Sequence, residues 1–324
     1  VILFVGLAIG AGQVFDMIGA DPETLSGELV VLGLLAAIGA AAWLLSAVLV
    51  GKQRRILPGI VLSLVFAGCA GAVLTWLFAR ATFGMTDPDE IGAVFDGISQ
   101  INEPTRAALS AAMDELPVLA RLFPVGVGLI GCAVIAAYYF TFRLPFAAGL
   151  LGLALVTAAF AALAVIDPYT AFVWNPAVSL ASGLALFGAG MMFDARDPKR
   201  ETRLSGAGFW LHFFAAPTLL GAAVTLANVG LRLDEADFAA GGVFGALGPL
   251  LAGDEAAAVR NAAVTLGVIA VFALVSLLIN RRALIVAGLI TAGAAIAVLV
   301  NQAGLGEAAV IAVTLLTLGG VVVL

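Results

Sequence analysis

Ten apolar runs alternate with polar breaks along this chain: residues 1–18, 28–50, 57–80, 117–142, 145–166, 174–194, 207–231, 259–280, 283–302 and 307–324. At about 1.5 Å of rise per residue, each is long enough to cross about 30 Å of hydrocarbon as a helix. The alternating segments of about ten residues that build membrane barrels are missing, so helices must satisfy the backbone inside lipid. The pattern predicts an all-α, polytopic membrane bundle of ten transmembrane helices.

Composition agrees. The 324 residues are 63% hydrophobic and 11% charged, with a mean hydropathy of +1.15. A soluble domain carries about 25% charged residues and could not bury so much apolar surface. The lipid bilayer is therefore the first partner. A formal net charge of −6 speaks against nucleic acid. Val1 opens inside one apolar run and "LGGVVVL" closes inside another, so both natural termini are expected to lie beyond this sequence.

Charge sorts the loops into two classes. Lys52, Arg54 and Arg55 follow the second run, and Arg143 follows the fourth. Arg196, Lys199, Arg200 and Arg203 follow the sixth, and Arg281 and Arg282 the eighth. The other connections are acidic, as in "MTDPDEIGAVFDGISQ" and "LDEADFAAGG". The positive-inside rule places the basic turns and the amino end in the cytoplasm, and the long acidic loops outside.

Self-comparison points to a duplication. "GAVLT" at 71–75 matches "GAAVT" at 221–225, and "GAVF" at 92–95 matches "GGVF" at 241–244. "GLLAAIGAA" from Gly33 resembles "GLALFGAG" from Gly183, and "RLPFAAGLL" from Arg143 resembles "RALIVAGLI" from Arg282. We expect a first helix and external loop over 1–27, four-helix units over 28–173 and 174–305, and a final helix over 306–324. An even number of crossings per unit makes the two copies parallel, about an axis along the membrane normal. Convergent Ala/Gly/Leu helices are the alternative account.

Polar groups in hydrocarbon are costly, and chemistry is to be sought there. His212, the single histidine, lies some five residues into the run that begins at Ala207, roughly 8 Å along the helix. Trp210 and Phe214 flank it, and Pro217 frees a backbone carbonyl nearby. It is either a packing histidine, with Trp210 as an interfacial aromatic, or a proton relay. Packing weighs more, because no intramembrane carboxylate is in view beside it. The same absence of mid-span carboxylates and lysines speaks against a proton- or sodium-driven pump. Asp194, at the inner end of the sixth run, is expected to join Arg196, Asp197, Lys199 and Arg203 in an ion-pair cluster. That cluster either braces the cytoplasmic turn or serves gating and docking. Asn228 joins His212 and Trp210 as a candidate pathway residue.

The external segments 88–115 and 234–256 read as amphipathic helices, with Phe95, Ile98, Phe238 and Phe244 on the apolar side. Arg80 and Arg121 are expected to snorkel to the interface. Cys69 and Cys132 lie in apolar runs and read as small buried thiols, with a disulfide between them left open. One histidine and no C-x-x-C pair give no metal or haem site. With no G-x-S-x-G, H-E-x-x-H or P-loop motif, neither a catalytic residue nor a cofactor is expected.

The stretch "MMFDARDPKRETRLSGAGFWLHFFAAP" over 191–217, with "NRRALIVAGLI" further on, resembles a family of uncharacterised bacterial inner-membrane proteins. In that family a Phe-Asp turn rich in Arg and Pro precedes an "FWLH..AAP" helix. Phe193, Asp194, Arg196, Asp197, Pro198, Arg203, Phe209, Trp210, Leu211, His212, Ala215, Ala216 and Pro217 carry the similarity. It implies a bacterial cytoplasmic membrane and no mechanism.

Two functions fit these features. Ten spans in two similar halves suit a transporter or channel for a small, weakly polar solute. Plain alanine-rich helices without buried charge suit a non-catalytic subunit that packs beside another membrane complex or assists its assembly, whereas a homo-oligomer goes with the transporter. A polar cavity among the helices favours the first, and a solid bundle with one apolar flank favours the second.

Overall fold

In the computed structural model the described residues are 25–53, 55–84, 105–199, 202–228 and 230–232, with Gly267, Ala270, Val271 and Leu274. Their regular structure is entirely helical. Helix α1 (Leu25–Ser46) continues into a π-helical turn (Ala47–Lys52), and α2 follows (Ile56–Phe83). Next come a short α3 (Arg106–Glu115), α4 (Val118–Phe142) and α5 (Pro145–Ile166). The short α6 (Pro168–Val173), α7 (Asn175–Arg196) and α8 (Arg203–Asn228) complete the order.

Among the described residues five segments are long and apolar enough to cross a membrane: Gly27–Lys52, Ile56–Phe83, Val118–Phe142, Pro145–Ile166 and Asn175–Arg196. The chain is a multi-pass membrane protein. These helices coincide, to within a few residues, with the second to sixth runs of the sequence. The seventh is met by α8, a further long helix of 26 residues. The first run and the eighth to tenth lie outside the described residues, apart from the four isolated positions. So do Phe95, Ile98, Phe238 and Phe244. Cys69 and Cys132 are both free thiols.

Neighbours in the bundle follow the chain, α1 on α2, α2 on α4 and α4 on α5, until α8 packs between α5 and α7. The α1–α2–α4 group closes around aromatic rings. Trp43 stands 4.9 Å from Phe142 and 4.8 Å from Phe66, ring centre to ring centre. The buried Tyr138 hydroxyl reaches Ser46 Oγ at 2.9 Å, and Ser46 Oγ donates to the Ala42 carbonyl at 2.7 Å. That network sits where α1 passes into its π-helical turn, a place where backbone groups are displaced from the regular ladder.

Between α5 and α7 the sequence "DPYTAF" forms α6 rather than an open loop. Asp167 caps it, accepting from the Thr170 hydroxyl at 2.7 Å and the Thr170 N–H at 3.2 Å. Arg106 of α3 reaches the same carboxylate at 2.9 Å and lies 4.8 Å from the centre of the Tyr169 ring. Leu109, also on α3, is buried against Ala171, Phe172 and Val173. Hydrogen bonding from the Thr170 hydroxyl, aided by its N–H and by Arg106 and opposed by slight desolvation, holds the Asp167 carboxyl below its ordinary value of 3.8.

A carboxyl lowered in the fold contributes stability that is complete above its unfolded value of about 3.9 and fades as pH falls through the lower folded value. Amide exchange over Arg106–Glu115, corrected for intrinsic rates, should therefore rise on acidification from about pH 5 to about pH 3. In Asp167→Asn it should be fast at both. A flat profile in the unaltered protein would remove this contact from the docking of α3.

Candidate functional site

Between α7 and α8, Asp197 and Thr202 settle each other's polar groups. Asp197 is buried, and its Oδ2 accepts from the Thr202 N–H at 2.9 Å and the Thr202 hydroxyl at 2.7 Å. Thr202 Oγ1 in turn accepts from the Leu204 N–H at 3.2 Å, satisfying a first-turn donor. This capping starts α8 at Arg203, four residues before the apolar run begins. His212 therefore lies about 14 Å from the start of its helix, its position within the apolar run unchanged.

The carboxylate beside His212 is Asp194. Asp194 lies in the last turn of α7, two residues before the helix ends at Arg196, as the sixth run predicts. Its Oδ2 lies 3.0 Å from His212 Nε2. The imidazole is 0% exposed and the carboxylate 11%. Side chains tilt toward the amino end of their own helix. On antiparallel neighbours that sends Asp194 inward along the bundle and His212 back toward the turn, so the two meet between the helices.

Two glycines make the room. A Cβ on Gly190 of α7 would stand 2.8 to 3.0 Å from three atoms of the imidazole. A Cβ on Gly208 of α8 would collide with the Asp194 carboxylate. Each helix thus offers a glycine one turn from its ionisable residue, Gly190 with Asp194 and Gly208 with His212, and each glycine faces the partner's side chain. Phe187 covers the imidazole, 4.8 Å from it, ring centre to ring centre.

Trp210 does not belong to this group. It faces α5, 4.8 Å edge-on to Phe146, where Gly149 lets the two backbones approach. Arg196, Lys199 and Arg203 are exposed, while Asp194 reaches His212 and Asp197 reaches Thr202. Asn228 is the last residue of α8. Arg80 is exposed near the end of α2, and Arg121 pairs with Asp114 at 3.0 Å.

Further out along the same seam is a cleft of about 240 Å³ between α5, α7 and α8. Asn175, Ser179 and Ser182 bring polar groups to it from one face of α7, facing Thr157 and Thr218. Their spacing of four and three residues is the helical signature of a single stripe. Ser179 Oγ donates to Asn175 Oδ1 at 3.2 Å. Between the cleft and the Asp194–His212 pair, buried Leu186, Leu211, Ala215 and Leu219 close the seam.

No family model, curated protein or solved structure matches the chain.

A different hollow of about 850 Å³ opens between α4 and α5, lined by apolar groups such as Phe123, Val127, Ile135, Leu150 and Phe160. Across these elements, the α7–α8 seam is the one that combines a buried ionisable pair with a polar cleft. It can bind a small hydrogen-bonding molecule at one level and hold charge at the other.

Proposed function

We propose that this chain is a ten-helix transporter or channel of the bacterial cytoplasmic membrane, moving a small, weakly polar solute along the seam of α5, α7 and α8. The polar cleft of Asn175, Ser179, Ser182, Thr218 and Thr157 carries the reading: the Thr157, Thr218 and Ser179 hydroxyls donate to the Leu153 carbonyl, the Phe214 carbonyl and Asn175 Oδ1, and each keeps lone pairs that can accept from a ligand or water in the cleft. Its size suits a molecule of a few heavy atoms. Val156, Thr157 and Phe160 belong to the first proposed four-helix unit, and the α7 and α8 residues to the second. A site at the junction of two repeats is where transporters with internal duplication hold their substrate. Loop charge sets the orientation, with the amino end cytoplasmic and the long acidic loops periplasmic.

Swelling of vesicles containing the purified protein tests it. In hyperosmotic glycerol or urea these vesicles should re-swell faster than protein-free ones, and Ser182→Leu and Thr218→Leu should remove the difference. Equal rates for every small neutral solute would end the transport reading.

A second reading, an accessory subunit of a larger membrane assembly, is favoured by the apolar hollow between α4 and α5. Gentle extraction followed by mass spectrometry distinguishes them, since a fixed ratio to another membrane protein supports the subunit.

A further inference from the structure

We propose that the hollow between α4 and α5 holds one membrane phospholipid whose headgroup carries both a phosphate and a primary ammonium. The phosphate sits on Arg121, the ammonium on Asp114, and the acyl chain in the hollow. This site is independent of the transport reading.

The hollow, of about 850 Å³, follows the two helices for most of their length. On α4 its lining runs from Arg121 to Ile135, and on α5 from Val165 back to Leu150. At about 1.5 Å per residue either stretch spans about 21–22 Å, more than half of the ~30 Å hydrocarbon core. Arg121 and Thr157 are the polar side chains of the lining, and the Thr157 hydroxyl already donates to the Leu153 carbonyl at 3.0 Å. Water needs several polar partners and finds too few on such a surface. A lipid chain supplies the dispersion contacts that an open apolar wall lacks.

Glycines set the width. A Cβ on Gly128 of α4 would stand 2.9 Å from Ala158 Cα, so α4 and α5 touch there. Less than one turn further, a Cβ on Gly131 would meet nothing within 4 Å, and that space belongs to the hollow.

Charge complementarity selects the headgroup. Met113 of α3 and Phe172 of α6 close over one end of the hollow, where Arg121 stands in the first turn of α4. Its Nη1 donates to Asp114 at 3.0 Å, and its Nε is buried with no acceptor among the described residues. The Nε–Nη2 edge of a guanidinium is a fork that fits two oxygens of one phosphate. Asp114 is 72% exposed, and Glu115 beside it is exposed too. Arg106, the other cation of α3, is engaged with Asp167. A guanidinium next to two carboxylates matches a phosphate followed by an ammonium. A headgroup without a cation meets Asp114 and Glu115 as like charges. A quaternary ammonium offers them no hydrogen bond.

Native mass spectrometry of the full chain tests this. The protein is delipidated in mild detergent, then mixed with equal amounts of palmitoyl-oleoyl phosphatidylethanolamine, phosphatidylglycerol or phosphatidylcholine. One phosphatidylethanolamine should be retained, about tenfold over the other two, the factor expected of one charge-assisted hydrogen bond. Asp114→Asn with Glu115→Gln should erase the preference, and Arg121→Gln should lower retention of all three lipids. Gly131→Leu, which fills the hollow, should lower retention of phosphatidylethanolamine to the level of the others. Thermal unfolding of that lipid-free variant should match the unaltered protein. Equal retention of the three lipids overturns the headgroup assignment. Retention that survives Gly131→Leu places the lipid outside the hollow. No retained lipid gives the hollow to another protein or to a segment of this chain, and either result overturns the proposal.

Discussion

His212→Leu should lower the stability of the folded bundle by about 1–3 kcal/mol, the usual cost of leaving a buried polar group without its hydrogen-bond partner. The carboxylate of Asp194 is only 11% exposed and loses the imidazole 3.0 Å away. The double variant Asp194→Leu with His212→Leu should recover most of the loss, since replacing a whole buried pair with apolar groups is often neutral. Unfolding in mixed detergents, run as a double-mutant cycle, gives the coupling. Additive losses would mean that the two side chains act independently and that the pair does not join α7 to α8.

Gly149→Ala is the second large effect. The added Cβ would meet the Trp210 backbone carbonyl carbon at 2.8 Å and oxygen at 2.9 Å, and Trp210 Cβ at 2.7 Å. Backbone cannot rotate out of the way as a side-chain tip can, so α5 and α8 must move apart. Overpacking of this kind costs about 1–3 kcal/mol. Gly188→Ala on α7 is the control, since a Cβ there meets nothing within 4 Å. It should be neutral or gain up to about 1 kcal/mol from helix propensity. Equal effects at the two positions, by thermal unfolding in detergent, would show that α5 and α8 are not held at backbone contact.

The bundle was legible because lipid leaves a chain few choices. Runs such as 145–166 and 117–142 could only be helices, and Pro145 at the first position of α5 even fixes where that helix starts. Helix ends set by side-chain capping were harder. Thr202 and Asp197 start α8 within a charged stretch that hydropathy assigns to the loop, and Asp167 turns "DPYTAF" into α6. The π-helical turn at Ala47–Lys52 left no mark in the apolar pattern.

The site was half legible. His212 stood out as the single histidine, but its partner lies 18 residues away across a turn. Helical periodicity relates residues within one helix and says nothing about what faces them from the next. The cue that was present is the repeated spacing, a glycine four residues before Asp194 and another four before His212. It gains meaning only once α7 and α8 are known to be antiparallel. Likewise Asn175, Ser179 and Ser182 form a stripe at helical spacing, hidden in a run whose hydropathy alone had been read.

In the proposed transporter, water and solute reach the α5–α7–α8 seam from the outer face as far as the closure at Leu186, Leu211, Ala215 and Leu219. A charged, membrane-impermeant thiol reagent tests it in sealed vesicles, after Cys69 and Cys132 are replaced by alanine. Ser182→Cys should react from the outer side and Ala215→Cys from neither side. A Ser182→Cys that stays as unreactive as Ala215→Cys would contradict the account, because the cleft would then be sealed packing rather than the mouth of a path.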